Sequence, residues 1–218
     1  MEVARRNLWS YPDLADAVDA AIAAHAAAIE LEQSVRGLDA LLELELHPII
    51  QRGFANAGYG VHPEQRYPRD RVKSKRSEGE RCDIVLTRDG AELLDPDAEK
   101  TLFQAGDACP LHEAFWLEVK TVFQFTSEGP NRSYASDLGR PIHQDVAKLS
   151  KDRGITHAGV LILLFTADEV VADHDLGVWI ERGRRRGLSI GHPYRRMTPI
   201  GDRCGNGLLT AALFPIER

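Results

Sequence analysis

The sequence predicts an α/β fold in which a mixed central sheet is flanked by helices. Two observations carry this. The elements read in the order α-α-β-β-β-α-β-α-β, so three consecutive strands are followed by a helix and a further strand. The run Gly159-Val-Leu-Ile-Leu-Leu-Phe165 has no polar position, as expected of a strand covered on both faces.

The elements follow in order. The alanine-rich stretch after Pro12 is a good helix sequence, with Asp13 and Asp16 placed to complement the dipole. It predicts a helix over about 12–35, broken near Gly37. Leu38, Leu42, Leu46, Ile49, Ile50 and Phe54 recur at helical spacing and predict a second helix over about 38–57, kinked at Pro48 and ended by Gly58 and Gly60. Val61–Tyr67 reads as an edge strand, because Pro63 and Pro68 cannot donate to a ladder. A basic loop covers 69–80. Cys82–Thr87 is a short strand and Arg88-Asp89-Gly90 a turn. Residues 91–112, with two prolines and several acids, read as an insertion or long hairpin. Ala114–Phe125 is strongly strand-like, 126–139 is loop, and Pro141 opens a helix to about Lys151. Ala158–Thr166 is the buried strand. A helix capped near Asp168 runs to about Arg186, and Gly207–Phe214 is the last strand, ended by Pro215. No linker marks a boundary. The expectation is one domain over 1–218: an N-terminal helical extension (1–36), a core (38–166) carrying the 91–112 insertion, and a C-terminal helix-strand extension (167–218).

Composition narrows the class. The 218 residues are 43% hydrophobic and 28% charged, ordinary for a globular protein that needs no disulfide or zinc staple. No run approaches ~18 apolar residues, so no membrane span is expected. The N-terminus has neither the apolar core of a signal peptide nor the acid-poor character of a transit peptide, which predicts a cytoplasmic protein. Cys82, Cys109 and Cys204 form no Cys-x-x-Cys pair. The net charge of −6 argues against a general basic coat, yet the basic residues are bunched. Arg66, Arg69, Arg71, Lys73, Lys75, Arg76 and Arg81 fall in one short window, and Arg182–Arg186 form a second bunch that also suits a helix C-terminus.

The chemistry concentrates on two strands. Glu118 and Lys120 are two residues apart, so on a strand they share a face, among Phe115, Trp116, Leu117, Val119, Val122 and Phe123. Charges in so apolar a strand need partners or a site. Asp83 opens the preceding strand. Two carboxylates and a lysine converging from neighbouring strands make a site for a hard cation such as Mg²⁺ or Mn²⁺. Such an ion supplies hydroxide and offsets charge at phosphorus, while a nearby lysine orients or deprotonates the attacking water.

Asp83 followed after a gap by Glu118-Val119-Lys120 resembles the PD-(D/E)xK nuclease superfamily, which includes restriction endonucleases and the RecB-type and Holliday-junction nucleases. The resemblance covers about 130 residues and implies a restriction-endonuclease-like αβββαβ core. It implies Mg²⁺, with Mn²⁺ substituting, held by Asp83, Glu118 and the Val119 carbonyl, with Lys120 handling the nucleophile. It further implies a carboxylate from the preceding helix. Glu43 and Glu45 both qualify, and Glu45, read on the face of Leu38, Leu42 and Ile49, is the expected one. Gln144 and Lys148, four apart on the following helix, join Arg69, Arg71, Lys73, Lys75 and Arg76 as candidate nucleic-acid contacts. Cys82 stands where the motif's name has proline. The function implied is DNA phosphodiester hydrolysis in restriction, phage defence or repair, as a homodimer or with a helicase, ATPase or methyltransferase partner. The competing readings are a catalytically inactive binding subunit with the same fold, and a purely structural Glu–Lys pair.

Other motifs carry less. No His-Glu-x-x-His or P-loop occurs. Gly187-Leu-Ser189-Ile-Gly191 matches a hydrolase elbow but follows an arginine run and precedes His192-Pro193, so it reads as a turn.

Overall fold

The structure is a computed structural model and describes residues 9–71, 79–94 and 108–217. Helix α1 (Tyr11–Leu31) is capped by the Ser10 hydroxyl, which accepts from the Asp13 amide. A short 3₁₀ turn leads to α2 (Glu43–Asn56). Strand β1 (Gly60–Arg66), the one-turn α3 (Pro68–Arg71) and β2 (Arg81–Thr87) follow, then β3 (Phe115–Phe123). A small hairpin, β4 (Phe125–Thr126) and β5 (Gly129–Pro130), precedes the short α4 (Tyr134–Asp137) and α5 (Arg140–Lys151). The chain ends with β6 (His157–Thr166), α6 (Glu169–Arg185), β7 (Tyr194–Pro199) and β8 (Leu208–Pro215).

The six-stranded sheet runs in the order β1-β2-β3-β6-β8-β7. Only the β3–β6 pair is parallel, so the sheet is mixed as expected. That pair requires a crossover, and α5 lies within it. Alternate residues of β6 divide between two cores. Leu161, Leu163 and Phe165 pack with α1 and α2, through Leu14, Val18, Ile22, Leu46, Ile50 and Phe54. Val160, Ile162 and Leu164 pack with α5 and α6, through Ile142, Val146, Leu149, Leu176 and Trp179. Cover on both faces explains why β6 has no polar position between Ala158 and Phe165.

The structure differs from the sequence expectation in three ways. The first two helices are shorter: α1 stops at Leu31 and α2 starts only at Glu43, because 38–40 form a separate 3₁₀ turn with Leu42 as the cap. Strand β7 was not expected; its Tyr-Arg-Arg-Met-Thr-Pro sequence lacks a buried alternation because it is an edge strand. The 126–139 loop contains the β4–β5 hairpin and α4. At the root of the 91–112 segment, the Leu94 amide donates to the Cys109 carbonyl at 2.8 Å; residues 95–107 lie outside the described residues. No helix among the described residues is long and apolar enough to cross a membrane.

Candidate active site

The site begins where a ladder ends. Strands β2 and β3 pair through Leu86–Phe115, Val85–Trp116 and Ile84–Leu117, and then separate. Beyond Leu117, β3 pairs among the described residues only with β6, up to Phe123–Phe165. Its other edge would leave backbone amides without strand partners. Two carboxylates take that place. Asp83 Oδ2 accepts from the Val119 amide at 2.8 Å, and Glu43 Oε2 accepts from the Thr121 amide at 3.0 Å. A strand residue presents its N–H and C=O to the same side, so the Val119 carbonyl lies on the edge that Asp83 occupies.

Trp116 and Val122 lie in the α5–α6 core, so Glu118 and Lys120 between them point to that face of the sheet. The Lys120 ammonium is surrounded by acids: Asp83 Oδ2 and Asp145 Oδ2 at 3.6 Å, Glu118 Oε2 at 3.9 Å and Glu43 Oε1 at 4.0 Å. Asp145 comes from α5 and also holds Lys148, Nζ to Oδ1 at 2.8 Å. Glu118 is 3% exposed and accepts a hydrogen bond from the Tyr67 hydroxyl, itself buried and stacked on Trp116.

Among the described residues, four carboxyl groups face two lysines. The consequences appear in the titrating groups. Burial, then the charge of Asp83 beside it, pushes the Glu118 carboxyl up to about 9, so it holds a proton at neutral pH. Burial works against the charge of Lys120, but Asp83, Asp145, Glu43 and Glu118 together outweigh it and hold the amine protonated well above its usual range. Burial, followed by the neighbouring Cys82 and Glu118, drives the Tyr67 phenol far upward, so it acts only as a hydrogen-bond donor. The oxygen donors suit a divalent cation, which Asp83, Glu118 and the Val119 carbonyl could hold.

Of the sequence-predicted residues, Asp83, Glu118, Val119 and Lys120 come together. Glu45 does not join them. Helix α2 starts at Glu43, so Glu45 is in its first turn: it reaches back to the Leu42 amide at 2.7 Å and pairs with Arg36 at 3.0 Å, in solvent. Its apparent face was read through residues 38–42, which are not in the helix. Glu43 supplies the helix carboxylate instead. Arg69 lies over the Tyr67 ring and pairs with Glu80 at 3.0 Å; Glu80 also meets Lys148 at 3.6 Å. Arg71 closes α3. Lys73, Lys75 and Arg76 lie outside the described residues. Gln144 is exposed, and its neighbour Asp145 is the α5 residue turned to the lysine.

The sequence reading missed Asp145 and Tyr67. Asp145 had a signal. It lies three residues after Ile142 and four before Leu149, an acid on the buried stripe of an amphipathic helix. Tyr67 had none, since buried tyrosines are common in cores. No family model matches the chain, and no curated protein or solved structure is significantly similar to it.

Proposed function

We propose that the chain is a metal-dependent nuclease that hydrolyses DNA phosphodiester bonds by a PD-(D/E)xK mechanism. The observation that carries the reading is the gathering of four carboxyl groups around Lys120, those of Glu118 and Asp145 buried, where β2 and β3 separate. The succession α2, β1, β2, β3, α5, β6 is also what a restriction-endonuclease-like core requires.

In this reading Asp83, Glu118 and the Val119 carbonyl hold the cation. When bound, it lowers the pKa of its water and offsets charge on the phosphate. The chain's own groups do the rest. Tyr67 fixes the Glu118 carboxylate through its hydroxyl, and Glu118 must give up its proton for the site to load. Lys120 donates hydrogen bonds to the attacking water or a phosphate oxygen. Asp145 and Glu43 orient its ammonium. Lys148 and Arg69, joined through Glu80, border the site and are placed to meet a backbone phosphate.

The test is cleavage of supercoiled plasmid and single-stranded DNA with Mg²⁺, Mn²⁺ or EDTA, beside Lys120→Ala. Nicking that needs the metal and falls by at least about 100-fold in the variant is the expected outcome. Binding of DNA without cleavage, unchanged by EDTA and by Lys120→Ala, would replace the nuclease with a binding module of the same fold.

A further inference from the structure

A second group of ligands stands on the other side of Asp83. One ligand atom each from His47, Glu64 and Asp83 lies within 4.8 Å of the others. His47 is on α2, four residues after Glu43, so the same helix face that delivers Glu43 delivers the imidazole. The ring is 6% exposed, and its Nε2 is buried without a hydrogen-bond partner among the described residues. A buried polar atom left unpaired costs about 1–3 kcal/mol, so such a group asks for a ligand.

Glu64 reaches the same point through an unusual backbone. The β1–β2 ladder passes from Pro63–Ile84 to Gln65–Cys82, skipping Glu64 and Asp83, which face each other between those pairs. Glu64 has φ of 55°, the left-handed region that a non-glycine residue rarely adopts inside a strand. Opposite it, the alternation of β2 is interrupted. Cys82 and Val85, three residues apart, both belong to the α5–α6 core, so Asp83 stands where the strand changes phase. Both strands are therefore distorted at the one point where their carboxylates meet the orphaned imidazole. The Glu64 carboxylate makes no hydrogen bond or ion pair among the described residues; the nearby Arg81 guanidinium is engaged by the Glu64 backbone carbonyl at 2.8 Å.

Hydrogen bonding among the three groups does not explain the cluster, since none links them. Ligand atoms all within 4.8 Å of one another come within reach of a shared ion after small side-chain rotations, since two donors each ~2.1 Å from one cation stand roughly 3–4 Å apart. Asp83 can serve both positions, because a carboxylate has two oxygens and about four lone-pair directions.

We propose that His47, Glu64 and Asp83 bind a divalent transition-series cation, of the Mn²⁺, Co²⁺ or Zn²⁺ class, next to the position held by Asp83 and Glu118. The imidazole sets the preference, because nitrogen donors favour these ions over Mg²⁺ and Ca²⁺. The proposal extends the nuclease reading, since Asp83 is common to both positions, but the binding itself is tested without DNA.

The experiment is Mn²⁺ binding to the purified chain, by calorimetry for stoichiometry and by pulsed electron paramagnetic resonance for nitrogen coupled to bound Mn²⁺. Wild type should bind a second equivalent of Mn²⁺ that Mg²⁺ does not match, and show the nitrogen coupling. His47→Asn should lose both signals while keeping the first equivalent. Glu64→Gln, an exposed residue whose change leaves the core alone, should lose the second equivalent as well, which guards against misfolding of the histidine variant. Glu118→Gln should keep the nitrogen coupling. Bound Mn²⁺ without nitrogen coupling, or coupling that survives in His47→Asn, overturns this proposal and leaves the nuclease reading standing. Nitrogen coupling in a protein that cuts no DNA upholds the proposal and sinks the nuclease reading. No Mn²⁺ binding overturns the proposal outright.

Discussion

Strands β3 and β6 lie side by side in register from Phe115–His157 to Phe123–Phe165, at the same depth in the sheet. One is apolar from Ala158 to Phe165; the other carries Glu118 and Lys120. The difference is in the next strand over. β6 has β8 along its other edge throughout, from Gly159–Pro215 to Thr166–Leu208. β3 loses β2 after Leu117. A missing strand leaves backbone amides to satisfy, and side-chain carboxylates that do so bring charge into the sheet. Charge is thus tolerated in the centre of this sheet only where pairing stops, and there it collects.

The sharpest way to break that comparison is to put a charge on the fully paired strand. Leu163→Asp, opposite Thr121 but in the α1–α2 core, should cost at least about 4 kcal/mol and prevent folding, as read by circular dichroism and solubility. If Leu163→Asp folds with near-wild-type stability, pairing is not what keeps charge out of β6.

Glu118→Gln should act the other way. The folded-state pKa of Glu118 is raised, so its contribution to stability is complete below the unfolded value, ordinarily near 4.5, and is lost as pH rises toward about 9. Removing the titration should therefore stabilise the metal-free protein at pH 8, by on the order of 1–3 kcal/mol in urea unfolding, and flatten its pH dependence. It should also abolish metal-dependent cleavage. A variant less stable than wild type at pH 8 would mean that Glu118 is already ionised and well paired.

Tyr67→Phe removes the hydroxyl that lowers the Glu118 carboxyl. The expected result is a loss of about 1–2 kcal/mol and weaker Mn²⁺ binding, because the proton on Glu118 is then harder to displace. Equal Mn²⁺ affinity in calorimetry would remove Tyr67 from the site's design. The smallest effect belongs to Glu45→Ala, which should lower the unfolding midpoint slightly through the lost cap and leave cleavage unchanged. Glu43→Ala should do the reverse, weakening cleavage and metal binding. Identical behaviour of the two variants would contradict the assignment of Glu43 to Lys120.

The elements legible in the sequence were those with a strong local pattern. The buried run of β6, the strand-like run of β3 and the Pro141 that opens α5 all predict their structures. What failed was phase. Leu38 and Leu42, read as helical, drew the buried face toward Glu45; with the helix starting only at Glu43, that face is set by Leu46, His47 and Ile50, which lie three, four and seven residues after Glu43. Strand β7 failed for a related reason: an edge strand buries little, so its sequence need not alternate.

By itself the sequence determined that a covered α/β sheet forms, and that Asp83, Glu118 and Lys120 stand on neighbouring strands. Period and burial are written locally, residue by residue. Only the tertiary structure decided that β2 leaves β3 at Leu117, that Glu43 and Asp145 arrive from helices on opposite faces of the sheet, and that Tyr67 closes on Glu118. Those are meetings between residues far apart in the chain. The same is true of His47, Glu64 and Asp83, whose ligand atoms come within 4.8 Å only because α2, β1 and β2 pack together. Local propensity has no access to such meetings, because the free energy that fixes them comes from packing and from charges that become neighbours only on folding.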